Sequence, residues 1–438
     1  MKADTGSPDP SPPGVRVLIY SVFCWMNRHP RVWRAIGSAL RFWPFLSRVV
    51  PVAATRTAVK AMLMRTRSFS NTSHVPNLVA DAFLIGMDPG ETYEADRALF
   101  ESILDLLDVE KDAHREAQAR VAALKSRGSG EPFDLIDDYL MWVVFSAIKP
   151  AFGAAADGVV AGSRETTPDE ATQRRYLNEI RPVAAQLFAG RWAPVHVQRR
   201  AEVNATSLKA RIRKMTLELG MSWPQARTMP YSAIRRNAIG LAWVSHPVTV
   251  QSGALMFKEL LGRPAVYRVL REAAQALGTR AWTDEHFRTR VANHVLELMR
   301  FRPIFPLLAR DVPRATEFES GARRNPKCPA GTSATVLSIS ALFDPYRVPT
   351  ASQFCPHRRW GSEEETRYLM FGYGPRQCPA KDHAVTILTS ALIGLLTLPE
   401  LRWADRWGAR MGYDGPMICR MRLLQAQHRT QEPHAHRS

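Results

Sequence analysis

Cysteine is scarce in this chain of 438 residues, and no two cysteines are spaced as Cys-x-x-Cys. The five are Cys24, Cys328, Cys355, Cys378 and Cys419. An odd number without close pairs gives no disulfide framework and no zinc-site pattern. The thiols are therefore expected to stay reduced, and a cytoplasmic location is the simplest expectation.

A long apolar run is missing near the N-terminus. The run from Val17 to Met26 has ten residues, whereas a helix that spans a bilayer needs about 20. No signal-peptide cleavage pattern follows this run. With 45% hydrophobic residues the chain can still bury a large core, as a globular enzyme does.

Acidic residues are fewer than basic ones, 41 against 59, which leaves a net charge of +18. Residues 1–70 contain 11 basic and 2 acidic residues, so they carry half of this charge. Such a balance attracts acidic proteins, anionic lipid or nucleic acid, and charge alone does not choose among them.

The N-terminal region divides by composition into a tail and an arm. Residues 1–15 are rich in Pro, Ser and Gly and are predicted to be disordered. In the arm, residues 16–69, arginines alternate from Arg31 to Val50 with apolar residues at helical spacing, which indicates an amphipathic helix with a basic face. Within residues 16–50 this helix can contact an anionic membrane, or it can pack on the protein with its arginines in water. Residues 70–425 form the main domain, and residues 426–438 form a polar tail.

The most informative stretch is Phe371–Ala380, which reads FGYGPRQCPA. Its glycines permit turns that other residues resist, and the apolar segment Ala384–Leu398 that follows has the composition of a buried helix. Cys378 therefore precedes a helix N-terminus, where the thiolate is favoured over the thiol. One alternative is a buried cysteine after an ordinary glycine turn; the other is a thiolate that binds iron, with Arg376 neutralising an acidic group of the cofactor.

This segment resembles the haem-binding signature of the cytochrome P-450 family, Phe-Gly-x-Gly-x-Arg-x-Cys-x-Gly. The matching residues are Phe371, Gly372, Gly374, Arg376 and Cys378, while Ala380 stands where the family prefers glycine. The resemblance implies a mainly α-helical fold with a small β lobe, a haem b cofactor, and Cys378 as the axial ligand of its iron. It also implies that Phe371, Gly374 and Arg376 bind the cofactor.

Phe83–Phe100 resembles the family's passage into the helix that crosses one haem edge, where Asp-Pro-x-x-His-x-x-x-Arg is common. Thr92 takes the histidine position, and Arg97 is the arginine that survives. The resemblance thus implies that one usual partner of a haem propionate is missing and that Arg97 contacts the cofactor.

Ser232–Leu261 resembles the family's central helix on the distal face of the haem, where most oxygen-activating members carry Ala-Gly-x-Asp/Glu-Thr. Pro247 stands at the acid position and Val248 at the threonine position, so the pair that relays protons to dioxygen is absent. The catalytic candidates that remain are His246 and Thr249, because a histidine beside a proline resembles the Arg-Pro of peroxide-using hydroxylases in the family. Alternatively, His246 faces away from the haem and packs against a neighbouring helix.

Three further residues resemble the family's buried charged triad. Glu297 and Arg300 lie three apart in a predicted helix and can pair. Arg358 follows in a Phe-x-Pro-x-Arg segment about 20 residues before Cys378, and in the family such a triad fixes the loop below the haem. Arg310 resembles the arginine that reaches a haem propionate.

The resemblance implies an oxidoreductase that inserts oxygen into a lipophilic small molecule, with Trp243 and Val248 in an apolar substrate pocket. In one mechanism the enzyme is a monooxygenase that uses O₂ and electrons from an acidic ferredoxin-type protein docked near the cysteine loop. In the other it is a peroxygenase or a hydroperoxide-rearranging enzyme that needs no electron donor. A haem-binding sensor without turnover is a further alternative. We expect no nucleic-acid partner, and a location in the cytoplasm or peripherally on a membrane.

Overall fold

The structure is a computed structural model that describes residues 13–42, 51–71, 83–128, 130–163, 167–189, 193–318, 325, 327–404 and 411–426. Helices dominate these residues. The α-helices are α1 (Pro13–Arg28), α2 (Pro30–Phe42), α3 (Arg56–Met64), α4 (Glu91–Leu104), α5 (Val109–Ser126), α6 (Met141–Ile148), α7 (Ala156–Ala161), α8 (Glu170–Ala189), α9 (Val195–Lys214), α10 (Thr216–Ser222), α11 (Tyr231–Gly240), α12 (His246–Leu261), α13 (Pro264–Leu277), α14 (Glu285–Phe301), α15 (Ser338–Leu342) and α16 (Lys381–Leu396).

The strands are short and form small sheets. They are β1 (Val52–Ala53), β2 (Phe133–Asp134), β3 (Leu308–Asp311), β4 (Thr316–Glu317), β5 (Lys327–Cys328), β6 (Ser333–Val336), β7 (Leu401–Trp403), β8 (Gly412–Asp414), β9 (Met417–Arg420) and β10 (Arg422–Gln425). In the sheet ordered β1-β6-β3, β1 is parallel and β3 antiparallel to β6. The prediction of a mainly α-helical fold with a small β lobe is therefore confirmed.

The core forms where α5, α6, α12 and α14 pack around or beside α16. Helix α16 is apolar on every side, and its residues from Ile387 to Leu396 are buried. The hydroxyl of Tyr139 donates to the carbonyl of Ala391 at 2.8 Å, next to Gly394, where any side chain would collide with that hydroxyl. The helical stretch Leu135–Ala161 is long and apolar enough to cross a bilayer, but 61% of its most apolar window is buried inside the protein, as in a core helix.

A π-helical turn, Leu241–Ser245, joins α11 to α12, and backbone angles remain helical through the junction. Pro247 follows this turn directly. Because proline has no N–H, it cannot bond to the carbonyl of Trp243, and a widened turn accommodates the missing bond. The central helix is therefore continuous but changes register beside Pro247.

The N-terminal arm is joined to the main body. In α2 the apolar residues Trp33, Ile36 and Leu40 pack against the main core, as in the second alternative for this helix. Further along, β1 pairs with β6, and Phe69 is fully buried in the same core. Of the segment predicted to be disordered, residues 1–12 lie outside the described residues and α1 begins at Pro13; residues 427–438 of the polar tail also lie outside them.

Candidate active site

A cavity of about 560 Å³ lies between the central helix and the cysteine loop, Phe371–Ala380. Its lining is mostly apolar, and the sulfur-bearing residue Cys378 is part of it. No carboxylate belongs to the described lining. The cavity therefore combines one thiol with an apolar chamber, which suits a metal-bearing cofactor and a lipophilic ligand.

The backbone of the cysteine loop depends on its glycines. Gly372 has φ +84° and Gly374 has φ +71°, a conformation that side chains rarely adopt. At Gly374 a β-carbon would also collide with the sulfur of Met64. The N–H of Cys378 donates to the carbonyl of Phe371 at 2.8 Å and closes the loop, so the thiol faces the cavity where Phe371 also lies.

Ala380 departs from the family signature without straining the backbone. It immediately precedes α16 with φ −92°, which an alanine adopts freely. The helix that follows does not make the free thiol acidic: burial raises the pKa of Cys378, although the N–H of Ala380 and nearby positive charges oppose this. For the free thiol, desolvation therefore opposes the effect of the helix terminus.

Two buried arginines reach the cavity from different elements. Arg376 pairs with Asp88 at 2.8 Å and donates to the carbonyl of Phe69 at 3.0 Å, but its Nε and Nη1 are buried and bond to no described residue. Arg310, on β3, donates to the carbonyl of Ala309 at 2.7 Å. Burial lowers the pKa of Arg310 to about 9, and the neighbouring charge of Arg376 adds to the effect. Two guanidinium groups with unused donors fit the acidic propionates of a haem.

Helix α4 supports the cysteine loop through a residue that the sequence analysis missed. Tyr93 lines the cavity and donates its hydroxyl to the carbonyl of Pro375 at 2.9 Å, whereas Thr92 is exposed. Arg97 donates to the carbonyls of Pro375 at 2.8 Å and Gln377 at 3.2 Å and does not line the cavity. These bonds tie Arg97 to the cysteine loop, and its direct contact with the cofactor stays a prediction. Tyr93 directly follows Thr92, the residue that the sequence analysis aligned with the family's histidine, so a shift of that alignment by one residue would have found it.

One face of the central helix lines the cavity at regular helical spacing. Its lining residues are Leu241, Val244, Ser245, Val248, Thr249 and Ser252. Val248 and Thr249 are therefore placed as predicted, and the two serines were missed although their spacing from Thr249 puts them on the same face. The hydroxyl of Thr249 donates to the carbonyl of Ser245 at 2.7 Å, so its lone pairs remain available as acceptors.

His246 and Trp243 lie on other faces of this helix. The Nε2 of His246 is 3.0 Å from the carbonyl of Met141, and its ring meets Phe145 edge-on, so it packs against α6. Burial lowers the pKa of His246 to about 4. The structure places His246 as in the second alternative, packed against a neighbouring helix and outside the cavity lining. Trp243 is likewise a core residue, with 1% of its surface exposed, and not part of the cavity wall.

The charged triad assembles below the loop. Arg300 donates two hydrogen bonds of 2.8 Å to the carboxylate of Glu297, and Arg358 donates a third at 3.1 Å. The N–H of Cys355 donates to the same carboxylate at 2.8 Å. Burial alone would raise the pKa of Glu297, but the hydrogen bonds and charge of Arg300, together with Arg358, hold it below its ordinary value. The triad therefore ties α14 to the segment that leads to the cysteine loop.

Comparisons with known proteins agree with this geometry. The family model described as Cytochrome P450 matches residues 194–398. No curated protein matches the chain significantly.

Several solved structures share the fold. A mutant of P450 EryK, an enzyme of S. erythraea, in complex with erythromycin B has a TM-score of 0.66 and 18% identity, covering 90% of this chain and 98% of its own. Ligand-free CYP105P1 has a TM-score of 0.62 and 20% identity, covering 85% and 90%. P450BioI in complex with an acyl carrier protein ligated to hexadec-9Z-enoic acid has a TM-score of 0.68 and 13% identity, covering 92% and 100%. The chain is therefore similar to cytochrome P450 in sequence over residues 194–398, and it shares the cytochrome P450 fold.

Proposed function

We propose that the protein is a haem-thiolate oxidoreductase that inserts one oxygen atom of O₂ into a lipophilic small molecule. The observation that carries this proposal is Cys378 in an apolar cavity that is also lined by Arg310 and by Arg376, whose Nε and Nη1 bond to no described residue. Cys378 would hold the iron of a haem b, and Arg310 and Arg376 would hold its propionates. The bound haem supplies the redox chemistry by which an O–O bond is broken.

The protein's own contribution is to bind, orient and protonate. The apolar lining excludes water and takes a lipophilic substrate by burial. The side chains of Ser245, Thr249 and Ser252 are the hydroxyls that the central helix presents to the cavity. With no carboxylate in the described lining, we propose that protons pass through these hydroxyls.

A peroxide-dependent reaction is the second candidate, and the missing carboxylate favours it. A peroxide brings both electrons and protons, so it needs less relay than O₂ does. In one form of this mechanism His246 would anchor a substrate carboxylate. Its packing against α6 argues against that form. Two candidate mechanisms therefore remain: an O₂-dependent reaction with a hydroxyl relay, and a peroxide-dependent reaction.

Turnover measured under two conditions decides between these mechanisms. Purified holoenzyme is supplied either with O₂, NADPH, a ferredoxin and its reductase, or with hydrogen peroxide alone. We expect product with the first system, and we expect Thr249→Val to divert reduced oxygen to peroxide because it removes a hydroxyl without changing shape. If product formed with hydrogen peroxide but not with the O₂ system, at a rate that Thr249→Val left unchanged, the O₂-dependent mechanism would be contradicted.

An acidic ferredoxin is the electron donor that we propose. Basic side chains flank the cysteine loop: Lys60 lies 4.4 Å from the ring of Tyr373, Arg97 contacts Pro375, and Lys381 begins α16. With the net charge of +18 they would attract an acidic surface to the side nearest Cys378.

We also propose that the protein lies in the cytoplasm and makes peripheral contact with anionic membranes through α1. The apolar residues of α2 pack against the core. On α1, by contrast, the exposed fraction is 63% for Leu18, 47% for Val22 and 52% for Trp25. These three residues, the outer stripe, are spaced to share one face of α1. Substituting serine for all three should abolish partition to anionic vesicles. Equal partition of the variant and the unaltered protein would refute this contact.

A further inference from the structure

The N-terminal hairpin of α1 and α2 forms part of the cavity wall. Phe23 and Asn27, one turn apart on α1, line the cavity together with Trp33 from α2. The outer stripe of α1 faces solvent. At this place a single helix therefore separates the cavity from the outside.

The hairpin is fastened on both sides of this wall. Tyr20 and Cys24 pack with Ala193, just before α9. The guanidinium of Arg28 donates to the carbonyl of Gly415 at 3.1 Å and lies 4.2 Å from the ring centre of Tyr413. Phe23 and Asn27 are thus held in place by their neighbours on the same helix.

The side chain of Asn27 has a fixed orientation and an unused donor. The indole N–H of Trp33 donates to its Oδ1 at 3.2 Å. An indole only donates, so the bond identifies the oxygen and turns the NH₂ group away from Trp33. No described residue accepts a hydrogen bond from this NH₂ group. Asn71, also in the lining, differs because its NH₂ group donates to the carbonyl of Ile85 at 2.7 Å.

We propose that Asn27 binds a neutral oxygen acceptor, such as a carbonyl, hydroxyl or ether oxygen, of the lipophilic substrate, and that Trp33 positions it. This proposal rests on the proposed function, since it concerns the ligand of the same cavity. A neutral acceptor suits a carboxamide beside the apolar ring of Phe23, because one uncharged donor does not offset the desolvation of a carboxylate. The two cationic groups of the cavity, Arg310 and Arg376, are needed for the propionates.

Alkylimidazoles test the proposal with the full-length holoenzyme. Their ring nitrogen binds haem iron and shifts its absorption, so binding is read without turnover. Two series of equal tail lengths are compared, one ending in a methyl group and one ending in a methyl ketone. At one tail length we expect the ketone to bind about five to ten times more tightly, the effect of one added hydrogen bond.

Variants separate recognition from packing. Asn27→Leu and Asn27→Asp should both abolish the preference for the ketone, because neither has an NH₂ group, and Asn27→Asp still accepts from Trp33. Trp33→Phe should reduce the preference by freeing the carboxamide. The control Phe23→Leu should weaken both series equally and leave their ratio unchanged.

Equal affinities for ketone and methyl tails at every length in the unaltered protein would overturn the proposal, as would an unchanged ratio in Asn27→Leu. Failure of imidazole itself to shift the haem spectrum would overturn the proposed function, and this inference with it. The two failures are therefore distinguishable in one titration.

Discussion

At the scale of single residues, Cys378 is the side chain that we propose holds the haem iron. In Cys378→Ala we expect the reduced carbon-monoxide complex to lose the absorption that a thiolate ligand gives it, because no other thiol lines the cavity. The control is Cys355→Ala, which removes a partly buried thiol outside the cavity and should keep that absorption. A normal spectrum in Cys378→Ala would exclude this residue as the ligand.

His246 belongs to the same scale, and its effect is on stability. Its pKa falls from 6.5 to about 4 on burial, so between these values the unfolded chain binds a proton that the folded protein does not. Stability therefore rises with pH across this window and falls as the pH drops through it. The contribution of this residue changes by about 2 kcal/mol between pH 7 and pH 5.

The substitution His246→Gln tests this linkage. Glutamine can donate to the carbonyl of Met141 but does not titrate, so the free energy of unfolding, measured in urea, should lose about 2 kcal/mol less between pH 7 and pH 5. Turnover at pH 7 should be retained. An equal pH dependence in both proteins would show that His246 is not buried in its neutral form.

At the scale of elements, the charged triad joins α14 to the segment before the cysteine loop. Arg358→Leu leaves Glu297 buried with a lost partner, and we expect the free energy of unfolding to fall by about 3–5 kcal/mol. The matched control Arg402→Leu breaks a pair with Glu400 whose arginine is 66% exposed, and it should cost about 1 kcal/mol or less. Similar losses from both substitutions would contradict a structural role of the triad.

The central helix shows which part of the site a sequence can predict. Val248 and Thr249 line the cavity, where the resemblance to the family's distal helix put them. The same resemblance put Trp243 in the pocket, but a resemblance does not say which face each residue takes, and Trp243 lies on a different face of the helix. Tyr93 was missed for a related reason: the sequence pattern fixed the helix but not its register against the cysteine loop.

At the scale of the whole molecule, the fold class was implied by the resemblance of one loop to the cytochrome P-450 signature, and the structure has that fold. The wall supplied by α1 and α2 could not be predicted in the same way. Their apolar spacing indicates that a helix buries one face, but it does not say which surface covers that face. Only the packing of Phe23, Asn27 and Trp33 shows that it faces the cavity.

The net charge of +18 is a property of the whole chain, and we expect it to govern the encounter with the proposed ferredoxin. We expect the rate of association with an acidic ferredoxin, measured by stopped-flow reduction of the haem, to fall by about tenfold or more when the ionic strength is raised from about 0.01 M to about 0.3 M. Lys381→Gln should slow the reaction more than Arg402→Gln does. A rate independent of salt would rule out electrostatic steering.

The bond from Arg28 to Gly415 joins positions 387 residues apart and fastens the helix that closes the cavity. A ribosome makes α1 long before it makes the β8–β9 hairpin that holds it, and Cys378 emerges late as well. While only the N-terminal part of the chain has been made, α1 therefore lacks its bond to Gly415 and the proposed iron ligand Cys378 does not yet exist. Both are made only after the residues that separate them from α1, so α1 cannot be fixed beside the cavity, and the proposed ligand cannot hold a cofactor, before that part of the chain has been translated.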